Sequence, residues 1–163
     1  MAPTGHDKKL VDDTARQAQA HIALAQYKKA LALYASSYDK YHYPGMRGSY
    51  AGTGELIRNA ADAAYQRRDF AEAGSTYHTL FESGITTRDF AHVLSFDDDY
   101  LNRQMKACSK GLLEAGLTKY REGKLEDAIS VWKKALVLDH DNKDIKSMIE
   151  TAATQLQNLK NIK

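Results

Sequence analysis

Six histidines, at positions 6, 21, 42, 78, 92 and 140, are the first residues to ask about metal chemistry. No two share the i, i+4 spacing that sets two ligands on one helical face. A zinc site would therefore need ligands converging from separate elements, and solvated or packing histidines are the expected reading. Asp139, Asp141 and Glu150 sit where a calcium loop begins and ends, but Lys143 occupies a ligand position and Asp144 the place of the glycine its sharp turn needs. That segment reads as a turn between helices, and Asp97–Asp99 as a helix start. Gly45, Gly48, Gly52 and Gly54 precede a helical pattern, where a phosphate can bind. No Lys-Ser/Thr pair follows and no strand precedes them, so neither nucleotide fingerprint is met and a flexible turn is expected. Ser, His and Asp occur without a nucleophile elbow. The one cysteine, Cys108, makes neither an internal disulfide nor a thiolate metal site. These readings give no catalytic residue, no metal ligand and no cofactor, and predict a protein that is not an enzyme.

Tyrosine is the residue in excess: Tyr34, Tyr38, Tyr41, Tyr43 and Tyr50 crowd one region, interleaved with Lys40 and Arg47. Such a cluster can stack on bases or sugars or grip a peptide. The alternative is that Tyr34, Tyr38 and Tyr41 pack the end of a long helix against its neighbour. Tyr43 and Tyr50, the outermost, are then expected at the surface, forming with Arg47 a secondary binding surface.

The elements that must position these residues are helices. Hydrophobic residues make up 43% of the 163-residue chain and charged residues 27%, enough for one core and its coat. Only two prolines occur, Pro3 and Pro44, and Ala, Leu, Lys, Glu and Gln outweigh β-branched runs. Steps of three and four place Leu101, Met105, Cys108, Leu112, Ala115, Gly116 and Tyr120 on one stripe of a helix over 97–122. A helix over 125–138 turns Ala128, Ile129, Trp132, Ala135 and Leu136 inward, and one over 144–161 carries Ile145, Ile149, Ala152, Leu156 and Leu159. Upstream, 55–67 presents Leu56, Ile57, Ala60, Ala61, Ala64 and Tyr65, followed by a partner helix with Phe70, Ala73, Tyr77, Leu80 and Phe81, capped by Asp69 with Glu72 in a capping-box pattern. The first pair runs over about 9–24 and 27–41, before the helix stop Pro44-Gly45.

Aligned on their second helices, the pairs read Tyr27-x-x-Ala30-x-x-x-Tyr34, Phe70-x-x-Ala73-x-x-x-Tyr77 and Leu125-x-x-Ala128-x-x-x-Trp132. A small residue lets two helices approach, and an aromatic one turn later fills the gap beside it. In this pattern the chain resembles the tetratricopeptide-repeat (TPR) family. Ser109–Asn142 spans a full repeat through Leu112, Ala115-Gly116, Tyr120, Gly123, Leu125, Ala128, Trp132, Ala135-Leu136 and Leu138-Asp139, with His140 in place of the family's proline. Gly54–Thr87 is similar, with Arg68 in place of the inter-helix glycine. Extra residues at 36–53 and 82–97 separate the units, the second expected to hold a short helical piece over 88–94.

The resemblance implies an all-α fold: antiparallel helix hairpins of a short, right-handed TPR-like solenoid within one domain over 1–163. Its units fall at about 9–43, 54–87 and 97–142, with a capping helix at 144–161. It further implies a non-catalytic scaffold or interaction module, binding a partner helix or extended peptide in a groove lined by the first helix of each unit. That groove would hold Arg58, Asp62, Tyr65 and Gln66 from the middle unit and Leu113, Leu117, Tyr120 and Arg121 from the last. Asp62 and Leu117 stand where some members use asparagine to clamp a C-terminal carboxylate, so no such clamp is expected.

A nucleic-acid-binding helical repeat, or a small-molecule or sugar binder using 34–50, are the alternative functions. The net charge of +2 gives nucleic acid and acidic membranes no global attraction. The last helix follows a rough heptad, which would also serve a homodimer. The longest apolar run, Ala30–Ala35, is far too short to span a membrane, and the opening MAPTGHDKK lacks a signal peptide's apolar stretch. The lysine-rich ending is similar to TPR domains of bacterial cell-envelope lipoproteins, although no lipobox cysteine is present. Cytoplasmic, or periplasmic and cell-envelope, locations are both compatible with these features.

Overall fold

The computed structural model describes residues 4–162, which form α-helices and two short 3-10 turns, with no strand among the described residues. The helices are α1 (Gly5–Ala23), α2 (Tyr27–Tyr41), α3 (Pro44–Gln66), α4 (Phe70–Glu82), α5 (Asp98–Arg121), α6 (Leu125–Leu138) and α7 (Lys143–Asn161). The 3-10 turns, Ile85–Thr87 and Ala91–Val93, lie between α4 and α5, the second inside the short helical piece expected over 88–94. Residues gather into two compact units. One takes in the described residues up to Ala61 and Thr76–Leu101, the other Asp62–Ser75 and the described residues from Asn102 onward. The division falls inside α3, α4 and α5.

Local signals explain where the helices begin. The Thr4 hydroxyl accepts from the Asp7 amide at 3.2 Å while the Asp7 carboxylate accepts from the Thr4 amide at 2.9 Å. This reciprocal cap starts α1 four residues before the apolar periodicity does. Asp69 accepts from the Glu72 amide, Asp97 from the Tyr100 amide, and Asn142 from the Ile145 amide, each three residues on. These bonds satisfy amides that lack an intrahelical partner.

The three hairpins α1–α2, α3–α4 and α5–α6 close by the same turn. Ala25, Arg68 and Gly123 each adopt a left-handed backbone, with φ of 53°, 62° and 76°. The following amide of Gln26, Asp69 or Lys124 donates to the carbonyl five residues back, at 2.8, 3.0 and 2.9 Å. The left-handed residue's own amide donates three residues back, to Ile22, Tyr65 or Tyr120. This is the Schellman closure, which favours glycine. Two residues past it comes the first helical residue of each partner helix. The small residues Ala30, Ala73 and Ala128 and the aromatics Tyr34, Tyr77 and Trp132 are all buried.

The glycine-rich segment departs from expectation. Residues 45–54 are helical, not a flexible turn, and α3 begins at Pro44, whose fixed φ suits a first helical position. Met46, Tyr50, Ala51, Ile57, Ala61 and Ala64 form one buried stripe along it. Burial of that stripe outweighs the poor helix propensity of glycine. Gly54 has a packing reason, since Ile85 lies within 2.6 Å of where its Cβ would be, but Gly48 and Gly52 face open space.

Three inward assignments fail at the edges of their stripes. Leu56 is 47% exposed and Ala115 is exposed, because the buried arcs centre on Ile57 and on Gly116. Leu159 is 54% exposed, because α7 outruns the cluster that Ile145 and Ala152 join with Leu112, Ala128, Trp132 and Ala135. α7 packs on α6, and α1 on α2.

Substituting Ala25→Gly should raise stability by about 1 kcal/mol by removing a Cβ from a left-handed residue, and Gly123→Ala should lower it by a similar amount. Gly48→Ala and Gly52→Ala should each add about 0.5–1 kcal/mol through helix propensity. Urea midpoints at unchanged m-value measure all four. A neutral Gly123→Ala would contradict the turn described.

Candidate functional site

The residues expected to line a groove fall in both units. In the second unit, Leu113, Leu117 and Tyr120 of α5 come together around Trp132. The indole fits because position 116 is glycine: a Cβ there would collide with the ring. Its Nε1 donates to the Leu113 carbonyl at 3.1 Å, and the Tyr120 ring lies 5.8 Å away by centroids. The Tyr120 hydroxyl donates to Gln155 of α7 at 2.8 Å. Leu113, Leu117 and Tyr120 are thus half-buried members of the packing, whereas Arg121 is exposed.

On the α3 side of the same unit, Tyr65 meets Phe70 edge-on at 5.5 Å, and Phe70 also packs on the Trp132 cluster. Asp62 is half-buried and Gln66 exposed. Arg58 belongs to the first unit, where its guanidinium donates to Glu55 at 3.1 Å and to the Ser95 hydroxyl at 3.3 Å.

The tyrosine-rich segment is mostly interior. Tyr34 stacks on Tyr50 at 5.3 Å, and Phe90 lies 5.4 Å from Tyr38 and 5.2 Å from Tyr50. Tyr50 is fully buried, against the expectation that it faces solvent, because the helical course of 44–54 turns it inward onto Phe90. The Arg88 guanidinium sits 5.9 Å from the ring centroid, close enough to act on the buried hydroxyl. Burial pushes the Tyr50 hydroxyl above its ordinary pKa, with Arg88 pulling the other way. Tyr43 is half-buried and stacks on the exposed Tyr41 at 5.5 Å, with Lys40 5.0 Å from the Tyr41 centroid.

Arg47, expected to join Tyr43 and Tyr50 at a binding surface, is engaged within the chain. It donates to the Tyr38 hydroxyl at 2.9 Å and to Asp89 at 2.7 Å, while Tyr38 itself donates to Asp89 at 2.7 Å. Arg88 pairs with Asp39. The Glu55 carboxylate accepts from the Ser95 amide at 2.5 Å and the Ser95 hydroxyl at 2.7 Å. Asp39, Glu55, Arg88, Asp89 and Ser95 went unnoticed in the sequence. The one signal for them is the Arg88-Asp89-Phe90 run of opposite charges and an aromatic inside an insertion.

Groups with reactive chemistry are scattered. Burial pushes the Cys108 thiol up to about 12, far from a reactive thiolate. Asp139 accepts from Asn142 at 3.0 Å within the turn that caps α7. No group of three or more His, Cys, Asp or Glu side chains placed to hold a metal exists among the described residues. A cleft of about 370 Å³ in the first unit is lined by Lys28, Leu31, Ala32, Ala35, His78 and Glu82, with Thr79 and Ser83. No described helix is long and apolar enough to cross a membrane. Comparison with protein-family models and with curated proteins finds no match.

The carboxylates give a pH prediction with a definite sign. The Tyr38 hydroxyl and Arg47 hold Asp89 below its ordinary pKa. Burial raises Glu55, but hydrogen bonds from Ser95 and Arg58 outweigh it and leave Glu55 depressed. Asp7, through Thr4, and Glu122, through Lys124, are depressed as well. A depressed carboxylate contributes stability that is complete above its unfolded pKa of about 4 and is lost as pH falls through its folded value. The thermal midpoint should be flat from about pH 7 to 5 and fall below about pH 4. Asp89→Asn with Glu55→Gln should lower the midpoint at pH 7 and shallow the acid decline. An acid limb identical to the wild type's would show that these two groups do not contribute.

Proposed function

We propose that the chain is a TPR-like interaction module that holds a protein partner on the α3 and α5 surfaces and carries out no reaction of its own. One observation carries this reading: the same hairpin occurs three times. Each has a left-handed closing turn, a buried small residue three positions into the second helix, and a buried aromatic four further on. Repeated hairpins of this kind present adjacent first helices to a partner, which fits a helix or extended segment.

Within that surface the half-buried Leu113, Leu117 and Tyr120 give shape, and the exposed Gln66 and Arg121 are free to select. Tyr120→Ala would remove packing on Trp132 and the bond to Gln155, so loss of binding in that variant would not identify a contact. The stacking readings, for nucleic acid or sugars, lose support from the burial of Tyr34, Tyr38 and Tyr50.

The test uses exposed positions that leave the fold intact. Partners captured by the wild-type chain from its native lysate, and confirmed with purified components, should bind at least about tenfold more weakly to Gln66→Glu plus Arg121→Glu, since rim charges set complementarity. The thermal midpoint should fall by no more than a few degrees, the cost of a carboxylate in the last turn of α3 and of α5. Unchanged affinity would remove this surface from recognition. Affinity for RNA that falls steeply with salt would replace the proposal with a nucleic-acid reading.

A further inference from the structure

Residues 85–96 run between α4 and α5 as an irregular segment with only i to i+3 backbone bonds, such as Thr87 to Gly84 and Ala91 to Arg88. Both flanking helices end independently of it. The Ser83 hydroxyl donates to the Leu80 carbonyl and the Gly84 amide to Phe81, closing α4, while Asp97 caps α5 through the Tyr100 amide. Gly84, at φ 69°, supplies a left-handed hinge that costs glycine little.

What fastens the segment is discrete. Its apolar anchors are the buried Ile85, Phe90 and Phe96. Ile85, Leu94 and Phe96 seat against α3 at Gly54, where Ile85 takes the space a Cβ would occupy. Three carboxylate clasps complete the attachment: Arg88 to Asp39, Asp89 to Arg47 and Tyr38, and Glu55 to Ser95. Thr86 also donates to Asp98 at the start of α5.

We propose that residues 85–96 form a strap that opens as one unit while the helices stay folded, uncovering the Tyr38 and Tyr50 rings and parting Arg47 from Asp89 and Arg58 from Ser95. Local opening of this kind follows where few fastenings, independent of the helix ladders, hold a segment down. The strap belongs wholly to the first unit, and its opening stands whether or not the repeats bind a partner.

Two variants of the full chain test it by amide hydrogen exchange at pH 7. Gly54→Leu puts a good helix former into α3 and a side chain into the strap's seat. Asp39→Asn, Glu55→Gln and Asp89→Asn together neutralise the clasps and leave the seat intact. In each, exchange across 85–96 should quicken by about tenfold or more, the size expected when several fastenings are lost together. Exchange in α6 should stay within about twofold of wild type, as in a distant element, and α2, held by its own helix ladder, should not quicken in step with the strap. Unchanged strap exchange in the triple variant would overturn the proposal. So would acceleration of α2 in step with the strap, which would make strap and helix a single opening unit. If Gly54→Leu does not fold, the triple variant alone decides by the same two outcomes.

Discussion

Trp132 and Gly116 set the terms on which the second unit is built. The indole lies where the side chain of residue 116 would be, so α5 and α6 can approach only if that position has no Cβ. Two further glycines act alike: a Cβ at Gly111 would meet the Phe70 ring, and one at Gly74 would meet Leu138 and Cys108. Close packing of large rings against bare backbone buries apolar area that flexible side chains would fill less completely. Each contact also fixes a register, because a ring has one gap to enter. The Trp132 bond to the Leu113 carbonyl and the Ser109 bond to the Ala135 carbonyl then satisfy the polar atoms that such burial encloses.

The first unit reaches stability by another route. Aromatic rings there pack on one another, Tyr34 on Tyr50 and Phe90 against both Tyr38 and Tyr50, and the polar tips that remain are gathered by Arg47, Asp89 and their neighbours. The Asp89 network is largely solvent-facing, with side-chain exposures of 45% for Arg47 and 56% for Asp89. Ion pairs in such positions contribute little individually. Their weight lies in direction: they hold Phe90 in register over rings that would otherwise be open on one side.

Helix positions were legible because they rest on local signals. The apolar period and the Asp69 and Asp97 caps mark α4 through α7 within a residue or two. The triple recurrence of small residue and aromatic was legible for the same reason, since both lie within two helical turns. Residues 44–54 were not legible. Their glycines and proline speak for a turn, and only long-range burial of Met46 and Tyr50 against other elements decides for a helix. The strap contacts, over sequence separations such as Tyr38 to Asp89, leave no periodic trace. For the groove residues, type and helix face could be read, but the Tyr120 bond to Gln155 could not, because it depends on where α7 comes to rest.

That bond bears on what the last helix does. α7 places Ile145 and Ala152 into the Trp132 cluster, and its Gln155 takes up the Tyr120 hydroxyl. Most of its apolar stripe is therefore satisfied within the chain, as a cap on α6 requires. Beyond Ala152 the stripe runs on through a half-buried Leu156 to Leu159 and Ile162, 54% and 81% exposed. A specific interface buries about 800 Å² on each partner, several times what two aliphatic side chains present. Self-association through α7 would thus have to recruit surface from other helices, or displace the helix from α6 and expose Trp132 and its neighbours. The second course gives up the packing of α7 on the Trp132 cluster for a weaker contact, which favours the cap.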